Sequence, residues 1–128
     1  MKSTQDLIEE EFLRLKSQGK IEVLILFNEE GIPMAEVGDF THYSKDTITA
    51  LSVLFHQSAE LLADFETDAT INETLIRTTN KFCIVSRPFH INEGQVVLIA
   101  IVPQNVSYRK VTNKAVRKIQ QLMNTNEA

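Results

Sequence analysis

The sequence holds one cysteine, no tryptophan, four glycines and three prolines in 128 residues. A solitary Cys83 excludes an internal disulfide and a cysteine-built zinc site. Scarce glycine leaves no phosphate cradle. The pattern GxxxxGK[ST] is absent, and Gly31 is followed by Ile32 and Pro33, not by the further glycines and immediate helix of a dinucleotide fingerprint. No serine lies in a GxSxG elbow. The longest pure apolar run, Val96 to Val102, is far short of the roughly 20 residues that cross a bilayer. The opening MKSTQDLIEEE turns acidic where a secretion signal would be apolar. With a formal charge of −4 there is no global cationic signal for nucleic acid. No internal repeat or low-complexity block occurs.

What remains is an ordinary globular composition, 43% apolar and 23% charged. We expect a single domain over 1–128, its core at about residues 5–123 with loose ends, cytoplasmic and without a cofactor. Ser3 and Asp6 have capping-box spacing ahead of a short helix carrying Ile8, Phe12 and Leu15. Ile21 to Asn28 is apolar on both alternating faces, which suits a central strand covered on both sides. NEEG breaks it, with Asn28 and Gly31 turning a hairpin and Gly31 in a left-handed conformation. PMAEV is the return strand. Ser44 or Asp46 caps a second helix, TITALSVLFHQSAELLADFE. Three strand-like stretches follow, TINETLIRTT, KFCIVSR and QVVLIAIV, the last two separated by a turn at FHINEG. Ser107 caps a final helix.

The expected class is therefore α+β, in the order α-β-β-α-β-β-β-α. Short links make antiparallel hairpins, and the two doubly apolar strands belong side by side at the centre. This gives a five-stranded antiparallel sheet of order 2-1-5-4-3. Its edges differ. Pro33 blunts the PMAEV edge, whereas the β-branched strand around Thr74, Ile76 and Thr78 has no such guard. It is open to a second chain unless a loop covers it.

On the second helix Ile48, Leu51, Leu54, Phe55, Leu61, Leu62 and Phe65 fill roughly half the circumference, more than one sheet requires. Thr49, His56, Gln57, Glu60 and Asp64 occupy the other side. The surplus apolar arc packs on a second helix of the same domain or on the same helix of a partner protomer. The neighbouring open edge favours the partner, because one two-fold axis would serve both features. The last helix has a narrow stripe of Tyr108, Val111, Ala115, Ile119 and Leu122. Arg109, Lys110, Lys114, Arg117 and Lys118 make a basic remainder, which is a solvated face or a surface for an acidic protein or a membrane.

Chemistry is sparse. His42, His56 and His90 fall in a loop, on a helix and in a turn, none at metal-ligand spacing. Cys83 alternates with its neighbours as a core residue does. Glu60 and Asp64 on the second helix are the carboxylate pair to consider for acid–base work, and solubility is their ordinary role. No catalytic, metal or cofactor residue is assigned.

The element order with NEEGIPMA at the first hairpin resembles the roadblock/LC7 family. Members show an acidic or amide residue, two variable positions, glycine, then a small residue four on, here Asn28, Gly31 and Ala35. ALSVLFHQSAELLADF and VVLIAIVPQNVSYRKV are also similar to that family, and the likeness runs from about Leu7 to Met123. One departure is Ser107, where many members carry glycine. The resemblance implies a homodimer, or a heterodimer with a paralogue, whose edge strands join into one sheet and whose central helices form a platform for a Ras-like small GTPase. Bacterial and archaeal members that resemble this chain regulate such GTPases. The implied dimer interface comprises Leu51, Phe55, Ser58, Leu62, Phe65, Thr74, Ile76 and Thr78. Thr49, His56, Gln57 and Glu60 are the GTPase-binding candidates. Neither nucleic acid nor membrane insertion is expected. Two other classes compete: a hot-dog-type acyl-thioester enzyme, which two strands before the long helix and a helix at the end oppose, and a small-ligand sensor, which requires an enclosed apolar pocket.

Overall fold

The computed structural model describes residues 1–66, 70–79, 81–92 and 94–125. Its first helix, α1 (Thr4–Ser17), opens on a capping box in which the Asp6 N–H donates to Ser3 Oγ at 3.1 Å and the Ser3 N–H donates to Asp6 Oδ2 at 3.3 Å. Ile8, Phe12 and Leu15 line its inner face. The chain then forms β1 (Val23–Phe27), β2 (Pro33–Gly38), α2 (Lys45–Leu62), β3 (Thr74–Arg77), β4 (Phe82–Ile91), β5 (Gly94–Pro103) and α3 (Tyr108–Thr125). All strand pairs are antiparallel, in the order β2-β1-β5-β4-β3, as the apolar pattern predicts.

Helices cover both faces of this sheet, which explains why every β1 side chain is buried. Leu24, Leu26, Leu98, Ala100 and Val102 point to the α1/α3 side, joining Phe12, Val111, Ala115 and Ile119. Val23, Ile25, Phe27, Ile99 and Ile101 point to the α2 side, joining Ile48 and Phe55. Phe12 is fully buried, so Phe12→Ala would cost about 3–5 kcal/mol.

Three boundaries depart from expectation. The stretch around FHINEG is not all turn: β4 continues through Phe89, His90 and Ile91, so His90 lies in a strand. Proline is tolerated at position 88 for a reason the pairing supplies. The Thr78 N–H donates to the Phe82 carbonyl, so alternate residues Phe82, Ile84, Ser86 and Pro88 direct their backbone groups toward the β3 side. Because β3 begins opposite Ser86, no ladder bond is lost at Pro88. Second, β3 is four residues long, not ten, and Thr78 lies outside it. Third, α2 ends at Leu62, capped at its start by Ser44 and not by Asp46, which leaves Phe65 in the turn beyond the helix. Ser107 substitutes for glycine before α3 without strain: its Oγ accepts the Lys110 N–H at 3.4 Å, and no non-glycine residue among those described has positive φ.

Candidate functional site

At the first hairpin, Asn28 Oδ1 accepts the N–H groups of Glu30 and Ile32 at 3.0 and 2.9 Å, and the Gly31 N–H donates to the Asn28 carbonyl at 3.0 Å. Gly31 takes φ +80°, a conformation that costs a side-chain-bearing residue about 1–2 kcal/mol. The backbone donors here close on Asn28, and a strand follows, so the turn is a hairpin.

The two sheet edges are chemically unlike. On β2, Pro33 has no N–H, and the Glu36 N–H donates to Glu9 Oε2 of α1 at 2.9 Å. Lys45 Nζ then holds Glu36 Oε1 at 2.6 Å and lies over the Phe40 ring, tying the start of α2 to the same strand. The β3 edge has no such covering among the described residues. Backbone groups of Thr74 and Ile76 face β4, by alternation from Thr78, so those of Leu75 and Arg77 point outward. Ile76 pairs with Ile84, whose side chain belongs to the α2-side core, and it is 39% exposed. Thr78 turns inward instead: its Oγ1 donates to the Phe82 carbonyl at 2.6 Å and accepts the Phe82 N–H at 2.9 Å, closing the β3–β4 hairpin.

Helix α2 is anchored at its start by an Asp39 turn. Asp39 Oδ1 accepts from the Thr41 hydroxyl at 2.5 Å and from the N–H groups of Thr41 and His42, and the Thr41 hydroxyl bond is the main reason its carboxyl sits below the ordinary range. Tyr43 packs edge-on against Phe82 at 5.6 Å, and burial pushes its phenol up. From this anchor Ile48 and Phe55 point into the sheet, with Leu51 half-buried beside them. Phe55, expected at an interface, is 7% exposed and belongs to the chain's own core on the α2 side. It lies one step of about 100° from Leu54 on the helix. Leu54 is 55% exposed, Leu61 67% and Phe65 86%, with Leu62 and Ser58 also exposed. Within α2 itself, Leu61 and Leu54 are therefore the most exposed large apolar positions. The sequence placed both in the apolar arc but could not say which part of that arc the sheet takes.

Thr49, His56, Gln57 and Glu60 are all exposed on the side of α2 away from the sheet. His56 Nε2 lies 3.0 Å from Glu60 Oε1, one helical turn on. Asp64 is exposed beyond the helix end.

On the opposite face, Arg87 Nη1 donates to Thr112 Oγ1 at 2.9 Å and to Asn113 Oδ1 at 2.8 Å, fixing α3 to β4. A cleft of about 410 Å³ opens to solvent between Arg77, Cys83, Gln104, Tyr108 and Arg109. Its lining is largely polar, unlike the enclosed apolar pocket a sensor requires. Burial pushes the Cys83 thiol up, opposed by the nearby Arg77 guanidinium. Among the described residues no three His, Cys, Asp or Glu side chains group to hold a metal, and no helix is long and apolar enough to cross a membrane.

No protein-family model matches the sequence, and no curated protein matches it. Solved structures do. MglB of Myxococcus xanthus is similar with a TM-score of 0.71 at 14% identity, covering 98% of this chain and 90% of that one. An MglB described as having a tetrameric arrangement gives 0.66 at 14%, over 96% of this chain and 92% of the other. A roadblock/LC7 domain from Streptomyces avermitillis gives 0.56 at 12%, over 94% and 98%. With nearly the whole chain covered in each case and the sheet order and three helices as described above, this chain has a roadblock/LC7-type fold.

Proposed function

We propose that this chain acts as a single cytoplasmic domain that dimerises, with itself or a paralogue, to form a non-enzymatic scaffold for a Ras-like small GTPase. One observation carries the dimer. The uncovered apolar residues of α2 and the exposed Ile76 lie on the same side of the sheet, and Ile76 stands on the edge strand whose Leu75 and Arg77 backbone groups face outward. A two-fold axis perpendicular to the sheet at Ile76 would pair Leu75 of each β3 with Arg77 of the other. It would also keep both α2 helices on one face. Covering Leu54, Leu61 and Phe65 removes apolar surface from water at about 25 cal/mol per Å². Of the expected interface residues, Leu62, Phe65, Ser58, Thr74 and Ile76 would contribute directly. Leu51 and Phe55 support them from below, and Thr78 braces the hairpin.

The GTPase follows from the roadblock/LC7-type fold and from the partner that the family resemblance implies. Thr49, His56, Gln57 and Glu60, exposed on the outward face of α2, are the contact candidates. Any stimulation of hydrolysis would come from ordering the GTPase's own switch loops, with no donated arginine assigned.

The test is capture of nucleotide-loaded Ras-like GTPases from the same genome by the wild-type chain and by His56→Glu and Glu60→Lys. The proposal expects one GTPase to be retained by wild type and lost by the reversed-charge variants. Retention of none would remove it.

A further inference from the structure

The face opposite α2 has a feature that the proposed platform does not use. Helix α3 carries Arg109, Lys110, Lys114, Arg117 and Lys118 and not one acidic residue, in a chain whose net charge is −4. Arg109 faces Glu73 at 3.5 Å. The other four make no ion pair among the described residues. Arg14, and after it Lys114 and Lys118, hold the Glu11 carboxyl below its ordinary range. At 100° per residue, Lys110, Lys114 and Arg117 fall within one narrow arc, with Lys118 on its flank toward α1. The first three are exposed and Lys118 is half-exposed.

We infer that this ridge is a docking surface for an anionic phospholipid membrane, which the protein meets flat and without insertion. Insertion is closed to α3 because its apolar stripe of Val111, Ala115 and Ile119 is already buried in the core. Three of the four free cations are lysines, whose strongly hydrated ammonium groups suit diffuse attraction to a charged surface. A protein partner would instead look for aromatic or apolar anchors set in a pocket, and lysine is depleted at such contacts. The outward arc of α3 offers neither: none of the large exposed hydrophobic residues lies on this helix. Charge complementarity therefore selects the lipid surface over an acidic protein.

One part of the inference rests on the proposed dimer. A two-fold axis perpendicular to the sheet sets both α3 ridges on the same side, away from both α2 helices, so two patches would meet one membrane together. The platform would then face the opposite direction.

Sedimentation with vesicles tests this, using pure phosphatidylcholine and an equal mixture with phosphatidylglycerol. The folded protein is expected on the mixed vesicles only, and free again at ~1 M salt, where screening shortens to about 3 Å. Lys114→Gln with Arg117→Gln should weaken binding at least about twentyfold, at roughly fivefold per cation removed, with the thermal midpoint unchanged. A monomeric Leu54→Glu, Leu61→Glu variant should bind more weakly yet keep its salt dependence. That arm separates a failure of the dimer from a failure of the ridge. Absence from the mixed vesicles at low salt, undiminished binding by the double glutamine variant, or stronger capture on a poly-glutamate matrix than on the vesicles would overturn the inference.

Discussion

The carboxylate of Glu9 accepts the backbone N–H of Glu36 at 2.9 Å, so a helix side chain stands where another strand would dock on β2. Together with Pro33 this closes one side of the sheet. Glu9→Ala should lose about 1–2 kcal/mol in chemical unfolding, as a charge-assisted bond is removed. The same variant should produce species larger than wild type in light scattering, and Glu9→Gln, which keeps an acceptor oxygen, should produce fewer. Equal size distributions for wild type and Glu9→Ala would show that the edge needs no such cover.

The first hairpin depends on an amide oxygen and a left-handed glycine. Asn28→Ala leaves two N–H donors without their acceptor, and Gly31→Val forces a branched side chain to φ +80°. Each should lower unfolding free energy by roughly 1–2 kcal/mol, and Asn28→Asp should recover most of the loss. The turn is exposed, so the measurement is a denaturant midpoint at constant slope.

Neighbours on α2 should behave in opposite ways. Phe55→Ala opens a cavity against the sheet and should cost about 3–5 kcal/mol. Leu54→Glu with Leu61→Glu alters positions that are more than half exposed, and should leave the thermal midpoint of the protomer nearly unchanged. Size-exclusion chromatography with light scattering should then report a 14.5 kDa species for that double variant and twice the mass for wild type. A wild type that is already monomeric at micromolar concentration removes the dimer.

Cys83 gives a pH dependence with a definite sign. Burial favours the neutral thiol, so its folded pKa lies above the unfolded value, ~8.5. As pH rises through the unfolded value the denatured chain ionises first, and stability falls. Cys83→Ala should flatten the stability profile in that alkaline range. Native alkylation should be slow near neutral pH, and slower still in Arg77→Gln, where the guanidinium no longer opposes the effect of burial. Faster alkylation in Arg77→Gln would reverse the assignment.

The sheet was readable because its determinants are local. Doubly apolar runs mark β1 and β5 as central, and Pro33 marks an edge. The end of β4 was hidden because Pro88 and His90 resemble turn residues. Only the short reach of β3, a matter of tertiary pairing, makes the proline harmless there. The proposed interface residues were blurred by helix phase. Leu54 and Phe55 are equally apolar in the sequence, and the Asp39 turn with the Tyr43–Phe82 contact anchors the helix start that decides which of them faces the sheet. The Glu9–Glu36 contact has no sequence signature at all, since it joins residues 27 apart.

Within β3, Leu75 and Arg77 offer their amides outward, a hand-hold barely two residues wide for a docking strand. Main-chain atoms are the same in every sequence, so that grip cannot tell one visiting polypeptide from another. In the proposed dimer, recognition would then reside in the greasy knobs of α2. A handful of substitutions there would be enough, in that dimer, to divert pairing from a second copy to a cousin, with the sheet itself left untouched.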